Sequence, residues 1–284
     1  MKLLSKDLLV KRLTQVSAYT ILYIVAFIII LPVIWLFVSS IKKDSEIYSW
    51  PIHFWPSAPQ WSNYTAIFTM TPFVKVAWRT FLLGIGTAAL SAVTSAMAGY
   101  AFARYQDVKG NKRLFQVIIV MLIVPGIVFL IPQFIVFARL KLTNTFWPWI
   151  LWAFGANAFY IFLYRQFFLG FPKELEEAAE IDGCGPFRVF WQILLPNSKP
   201  VIATVLIFGF NGLWGDYLTP SIYLSSNVTL LAVKMATAFV NPQGKTIFAV
   251  SLAATVIYVL PLVIVFFFAQ KYILKGLITS GLKG

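Results

Sequence analysis

Long apolar runs without a charged residue alternate with short polar segments along this chain. Five runs contain no Asp, Glu, Lys or Arg over 23 to 29 residues: 13–41, 80–103, 114–138, 142–164 and 246–270. A sixth run, 200–224, is interrupted once, at Asp216. Because a helix needs about 20 apolar residues to cross about 30 Å of hydrocarbon, the pattern predicts an all-α, polytopic membrane protein. Six transmembrane helices would place both termini on the same side.

The basic residues between these runs predict the orientation. Of the 23 Lys and Arg residues, 15 belong to the N-terminus, the segment after the second run, the segment 165–199 and the C-terminal tail. The other eight lie on the opposite side. Since basic residues are enriched in cytoplasmic loops, both termini and the segment 172–200 are expected in the cytoplasm. The first run is too long for a cleaved signal peptide and is expected to be a retained span.

Composition supports a membrane protein and excludes several functions. The chain is 60% hydrophobic and 12% charged, whereas soluble domains are about 25% charged. Its net charge of +13 is spread over short groups at the ends of the apolar runs, which does not predict nucleic-acid binding. The sequence contains no phosphate-binding glycine loop, metal-ligand cluster or catalytic set. We therefore expect no enzyme activity, no catalytic residue, no metal site and no cofactor held by this chain.

The polar segment 172–200 predicts two short helices joined by a turn. Pro172 and the acidic residues that follow it suit a helix start, and Gly183 suits a turn just after Asp182. In the second helix one apolar face is predicted, made by Phe187, Phe190, Trp191 and Leu194. Pro196 is predicted to end that helix. Periodicity alone leaves two interpretations open, an ordinary loop and a docking element.

Other features predict local structure outside that segment. The loop 42–75 is rich in Trp and Pro, carries His53, and is expected to be a fixed, non-helical cap. A turn is predicted at 242–244. Proline residues inside the apolar runs predict kinks, at Pro32, Pro125, Pro132 and Pro261. Small residues along the second run predict close helix packing: Gly84, Gly86, Ala88, Ala89, Ala92, Ala96 and Gly99.

Asp216 is an acid within an apolar run. A charge at the centre of a membrane helix costs about 2.5 to 3.5 kcal/mol, so this carboxylate should not face lipid. We expect it to form a polar lining for a solute pathway, together with Asn211, Asn157 and Gln133. The alternative is a hydrogen bond between helices near the outer interface. A proton relay would need more titratable groups.

A spaced motif in the segment 172–200 resembles a known family. Its residues are Glu177, Ala178, Ala179, Asp182, Gly183, Ile193, Leu195 and Pro196. Their spacing is similar to the EAA loop in the permease subunits of binding-protein-dependent ABC importers, most closely the carbohydrate-uptake, MalG-like branch. Further similarities are AGYAFAR at 98–104, WGDYLTP at 214–220 and GLITSGLKG at 276–284, so the resemblance covers about 73–284. Arg79 and Gly215 depart from it, since Asn is common at both positions.

The resemblance implies a division at 72, with 1–72 forming the N-terminus, first span and outer loop, and 73–284 forming the importer core. It implies a permease subunit that translocates a sugar or oligosaccharide across a bacterial or archaeal plasma membrane. The implied partners are a second, related permease, a pair of cytoplasmic ATPase subunits and an extracellular solute-binding protein. ATP and Mg would be held by the ATPase subunits, whose groove the EAA loop would contact. The open alternatives are a permease for another solute, an ion-coupled secondary transporter and, less favoured, a membrane enzyme.

The C-terminal tail, 271–284, is also interpreted through the resemblance. Its last residues would insert between the two ATPase subunits: Gly281, Leu282, Lys283 and Gly284. The alternative for this tail is a frayed basic end.

Overall fold

The computed structural model describes the backbone of residues 2–281 and the side chains of residues 10–268 and 270. This part of the chain is mostly helical, and its extended pairing is a single bridge between Val240 and Thr246. Two compact units are present. One contains the residues up to Thr71 together with Ala238–Val259, and the other contains Pro72–Thr237 and the residues from Leu260 onward.

The first unit ties a long helix to the loop that follows it. Its helices are α1 (Lys2–Ser40), α2 (Asp44–Ile47), α3 (Ser62–Met70) and the first turns of α15 (Phe248–Gly281). The Asn63 amide donates hydrogen bonds of 2.9 Å to the carbonyl oxygens of Ser40 and Lys42, and Asp44 accepts one of 3.1 Å from the Ala249 N–H. The prediction of a loop without helix is wrong, because no proline lies between 59 and 72, which leaves 62–70 free to form α3.

The second unit is organised around α4 (Phe73–Arg104), which packs most extensively against three other helices. These are α7 (Trp147–Phe154), α8 (Ala158–Leu169) and α12 (Lys199–Trp214). Five of the seven predicted small residues of α4 are buried, and a Cβ at Gly99 would lie 2.6 Å from the Tyr164 Cβ. A Cβ at Gly209 would lie 2.9 Å from the Ala88 Cβ. The prediction of close packing is therefore confirmed at the five buried positions, whereas the other two predicted residues, Gly86 and Ala89, are exposed.

The remaining helices of this unit are interrupted by short breaks. The run 114–138 forms α5 (Asn111–Ile123), a 3-10 turn (Gly126–Phe129) and α6 (Leu130–Arg139), and the chain bends by 97° between them, at Pro125. After α12 come α13 (Leu218–Tyr223) and α14 (Leu231–Thr237). In the first unit, Gly244 has φ 78° and donates to the Asn241 carbonyl at 2.9 Å, so the turn predicted at 242–244 is confirmed.

The run 142–164 is not the single helix that its length predicts. It is divided into α7 and α8 at residues 155–157, where Ala156 has φ 59°. The Asn157 side chain accepts hydrogen bonds from the N–H groups of Phe159 and Tyr160, at 2.9 and 3.3 Å. Because this cap satisfies the first donors of α8, a new helix can begin there at little cost inside an apolar run.

Within the described residues, three helical stretches are long and apolar enough to cross a membrane: 10–40, 73–104 and 248–268. Two bent pairs also qualify if each is one span: 111–123 with 126–139, and 186–197 with 199–214. Helices α1 and α15 continue through Pro32 and Pro261. These features support a multi-pass membrane protein, while the number six stays a prediction.

Candidate functional site

The first helix of segment 172–200 is α9 (Glu174–Ile181), with three acidic residues in its first turn. Its end forms a glycine-terminated cap. The Cys184 N–H donates to the Ala179 carbonyl at 2.9 Å, and the Gly183 N–H to the Glu180 carbonyl at 3.0 Å. Gly183 has φ 81°, a conformation that glycine adopts without strain. The predicted helix and its turn at Gly183 are confirmed.

The second helix ends close to the predicted position. It runs without a gap through α10 (Pro186–Val189), a π-helical turn (Phe190–Leu194) and α11 (Leu195–Asn197), then bends by 79° into α12. The prediction that Pro196 ends the helix is therefore confirmed to within one residue.

The predicted apolar face of this helix is only half right. Phe190 and Leu194 are buried, but Phe187 is 68% exposed and Trp191 is also exposed. In the π turn each N–H pairs five residues back instead of four, which rotates later side chains. The buried set becomes Val189, Phe190 and Leu194, which pack with α4 and α8 residues in one apolar cluster.

The two faces of α9 have different surroundings. Ala179 and Glu176 are buried within this chain, and Ala179 belongs to the same apolar cluster as Phe190. Leu175, Ala178 and Ile181 point outward, and Ile181 is 87% exposed. Of the other motif residues, Glu177, Asp182, Gly183 and Pro196 are exposed, while Ile193 and Leu195 are half-buried. The structure thus brings Ala179 inward, although the resemblance placed it at the docking surface.

An ion pair beneath α9 was missed by the sequence analysis. Arg104, the last residue of α4, donates from Nε to the two carboxylate oxygens of Glu176 at 2.8 and 3.0 Å. Its Nη1 donates to the Phe168 carbonyl at 2.6 Å. Both side chains are 10% exposed, and they form the one salt bridge among the described side chains. Two signals were present: Arg104 closes AGYAFAR, and Glu176 lies three residues before Ala179, on the same helix face.

A second polar site is a cavity of about 480 Å³ in the second unit. Asp216 and Asn157 line it, as predicted for one shared polar side, but Asn211 and Gln133 do not. Asn211 is exposed and Gln133 is half-buried elsewhere. The other polar or aromatic lining residues include Thr87, Ser91, Trp149, Trp152 and Tyr160. None of the described residues that line the cavity is basic.

Two helix breaks meet at this cavity. Asn157 lies between α7 and α8, and Asp216 lies between α12 and α13. Asp216 Oδ1 accepts a hydrogen bond of 3.0 Å from the Thr219 N–H, within its own segment. The Asn157 N–H donates to Ser95 Oγ of α4 at 3.1 Å. Irregular backbone at membrane depth is tolerated where it lines a cavity or is buried in protein, which fits both breaks.

The predictions on metal ligands and on the C-terminal residues can be compared only with the part of the chain that the structure describes. Among the described side chains, no group of three His, Cys, Asp or Glu could hold a metal ion. Gly281 is the last residue of α15, whereas Leu282, Lys283 and Gly284 lie outside the described residues.

The chain is similar to proteins of one transport family. The family profile described as "binding-protein-dependent transport system inner membrane component" matches residues 91–279. The arabinooligosaccharides transport system permease protein AraQ of Halalkalibacterium halodurans is 34% identical over 268 residues, covering 92% of this chain and 93% of that protein. The lactose transport system permease protein LacG of Rhizobium radiobacter is 30% identical, covering 95% and 97%.

A solved structure supports the fold. It is described as a bacterial ABC transporter involved in the import of the acidic polysaccharide alginate, and it matches with a TM-score of 0.75 over 92% of this chain and 97% of that one, at 23% identity. With the profile match and the AraQ identity, which covers nearly the whole chain, the family is established. The chain belongs to the inner-membrane components of binding-protein-dependent transport systems, the permease family that the spaced EAA motif predicts.

Proposed function

We propose that this chain is a permease subunit of an ATP-driven importer that translocates a sugar or oligosaccharide. The named solutes of its relatives support this: arabinooligosaccharides, lactose and, for a protein of Streptococcus pneumoniae, maltodextrin. One observation carries the proposal. One face of helix α9 packs against its own chain and forms an ion pair there. Its other face is apolar and exposed, as expected for a contact with another protein.

The outward face of α9 is the proposed contact for a cytoplasmic ATPase subunit. We name it the docking face and define it by Leu175, Ala178 and Ile181. The Ala178 side chain is small, so a partner could approach the helix closely there. Glu177 and Asp182, at the edge of this face, would pair with basic groups of the partner. The excess of Lys and Arg on this side of the membrane supports a cytoplasmic position.

The proposed topology has six spans, three of them broken. They are α1, α4, α5 with α6, α7 with α8, α12 with α13, and α15. Both termini would be cytoplasmic, and 1–72 would precede an importer core at 73–284. In this arrangement the 172–200 segment is a two-helix cytoplasmic loop between the fourth and fifth spans, the position of a coupling loop.

The proposed solute pathway includes the cavity lined by Asn157 and Asp216. Its mixture of tryptophan faces with carboxylate, amide and hydroxyl groups suits a sugar, which offers apolar ring faces and many hydroxyl donors. Asn211 and Gln133 do not line this cavity, so the proposal rests on the first two residues. Asp216 would accept hydrogen bonds from solute hydroxyls while also capping α13.

The proposed assembly supplies what this chain lacks. A pair of ATPase subunits would bind ATP with Mg and drive the cycle, and a second permease would complete the pathway. An extracellular solute-binding protein would deliver the sugar. The last residues, 281–284, would contact the ATPase pair.

The test is reconstitution of the chain with its partner subunits in proteoliposomes. We expect ATP-dependent uptake and solute-stimulated ATP hydrolysis with a neutral oligosaccharide from a panel. Ile181→Ser in the docking face should reduce co-purification of the ATPase subunits, while Glu174→Ser, an exposed change on the same helix, should not. Normal co-purification and uptake with Ile181→Ser would contradict the docking face. Stimulation by a non-sugar solute alone would favour the alternative permease.

A further inference from the structure

Arg104 occupies a junction of three helices. Its guanidinium donates to Glu176 on α9 and to the Phe168 carbonyl near the end of α8, and it is itself the final residue of α4. Nη2 contacts Glu176 as well and lies 3.4 Å from the Phe171 carbonyl oxygen. A guanidinium is planar and presents five N–H donors in fixed directions, so it holds its partners in orientation as well as at a distance.

The cluster beneath this junction is apolar and closely packed. Ala179 of α9 packs there with Ala103 of α4 and with Tyr164 and Phe168 of α8. Such packing resists compression and separation but offers little resistance to sliding, since apolar contacts are non-directional. The Arg104–Glu176 pair supplies directional hydrogen bonds that oppose sliding.

From Arg104, α4 leads directly to the cavity. Ser95 lies nine residues earlier on the same unbroken helix, about 14 Å away at 1.5 Å per residue. Its Oγ accepts from the Asn157 N–H at the cavity break, and the neighbouring Thr94 Oγ1 donates to the Ala153 carbonyl at 2.8 Å. Between these points Gly99 is packed directly against Tyr164. Displacement of one end of α4 would therefore reach the break between α7 and α8.

We propose that Arg104 is a positioning residue that transmits movement of α9 to α4, and through Ser95 to the cavity. This inference rests on the proposed function, since it assumes that a partner moves α9. The docking face and Glu176 lie on opposite faces of that short helix, so a force applied at Ile181 passes to the rest of the chain through Glu176 and its neighbours. Arg104 itself lies outside the docking face and does not line the cavity.

The experiment uses the complete importer with its partners in proteoliposomes and measures solute uptake and ATP hydrolysis together. The variants are Arg104→Lys, which keeps the charge but loses the planar fork, and Glu176→Gln, which keeps the shape. The matched control is Glu174→Gln, an exposed carboxylate on the same helix. We expect the first two to assemble and hydrolyse ATP, with solute transported per ATP reduced about fivefold or more. The control should keep the ratio of the unaltered importer.

The double variant sharpens the result. If the two side chains act only through their contact with each other, combining Arg104→Lys with Glu176→Gln should reduce the solute transported per ATP no further than the more severe single change. An unchanged ratio in assembled variants would overturn the inference, and so would failure of Arg104→Lys to assemble, which would assign the pair to folding. Absence of ATP-driven uptake by the unaltered complex would instead defeat the proposed function.

Discussion

Two carboxylates of the second unit lie in largely apolar surroundings, and they are held differently. Glu176 is buried and paired with Arg104, whose other donor reaches a backbone carbonyl. Asp216 is half-buried beside a cavity, its Oδ1 accepts the Thr219 N–H, and within the described side chains it forms no salt bridge. A carboxylate enclosed by its own chain joins elements together, whereas one that faces open volume retains acceptor capacity for a ligand.

The cost of each arrangement supports this distinction. Burying two charges costs desolvation that their attraction only partly offsets, so the Arg104–Glu176 pair is weak as a source of net stability. Removing one partner is a different matter, because it leaves a buried charge without compensation. Asp216 forms no salt bridge among the described side chains, so its removal leaves no uncompensated charge. Four substitutions test this difference, from the largest expected effect to the smallest.

Glu176→Ala should have the largest effect on folding. It leaves the Arg104 guanidinium buried without its carboxylate, and we expect a loss of about 3 to 5 kcal/mol of unfolding free energy. Denaturation in detergent micelles measures this, with Asp216→Ala as the comparison at about 1 kcal/mol for a lost cap. Equal losses for the two variants would contradict the distinction between a carboxylate paired within its own chain and one that faces a cavity.

Ala179→Leu tests the apolar cluster beneath the Arg104–Glu176 pair. The larger side chain must enter a packed cluster, so we expect a stability loss of about 1 to 3 kcal/mol. Ala178→Leu on the docking face is the matched control, and it should leave stability within about 0.5 kcal/mol because that position is exposed. It should instead weaken binding of the ATPase subunits. The reverse order of stabilities would show that α9 is rotated relative to this structure.

Gly183→Ala tests the turn that ends α9. At φ 81° a Cβ is strained, although nothing lies within 4 Å of it, so we expect a loss of about 1 to 2 kcal/mol. Gly215→Ala, at the break beside the cavity, is the control. Gly215 has φ −86° and a Cβ there would meet only the Asn211 carbonyl oxygen, at 3.4 Å, so its cost should be smaller. Thermal unfolding of both variants in one detergent decides between them.

Asp216→Asn should change stability least and transport selectively. Asn caps a helix about as well as Asp, so we expect less than about 0.5 kcal/mol of stability change. Loss of the charged acceptor should raise the apparent KM for a neutral oligosaccharide about fivefold. Uptake in proteoliposomes measures this, with Asn211→Gln, outside the cavity, as the control. An unchanged KM would confine Asp216 to its role as a cap.

Prediction from the sequence worked where the signal is local. The turn at Gly183 followed from a residue type that tolerates positive φ, and the helical runs followed from apolar length. It was wrong for Trp191, because a π turn changes the number of residues per turn without a sequence signature, and for Phe187, which lies before that turn and is exposed. It was also wrong for 142–164, where Asn157 starts a new helix within an apolar run.

The sequence by itself determined the helical, membrane-spanning class of this protein and, through a spaced motif, its family, since periodicity, charge distribution and motif spacing are readable without coordinates. Only the tertiary structure decided that Glu176 is the buried acid of α9, that Ala179 faces inward, and that Asn157 and Asp216 share a cavity. The reason is distance along the chain. Arg104 and Glu176 are 72 residues apart, and their contact depends on how whole helices pack, which no local pattern records.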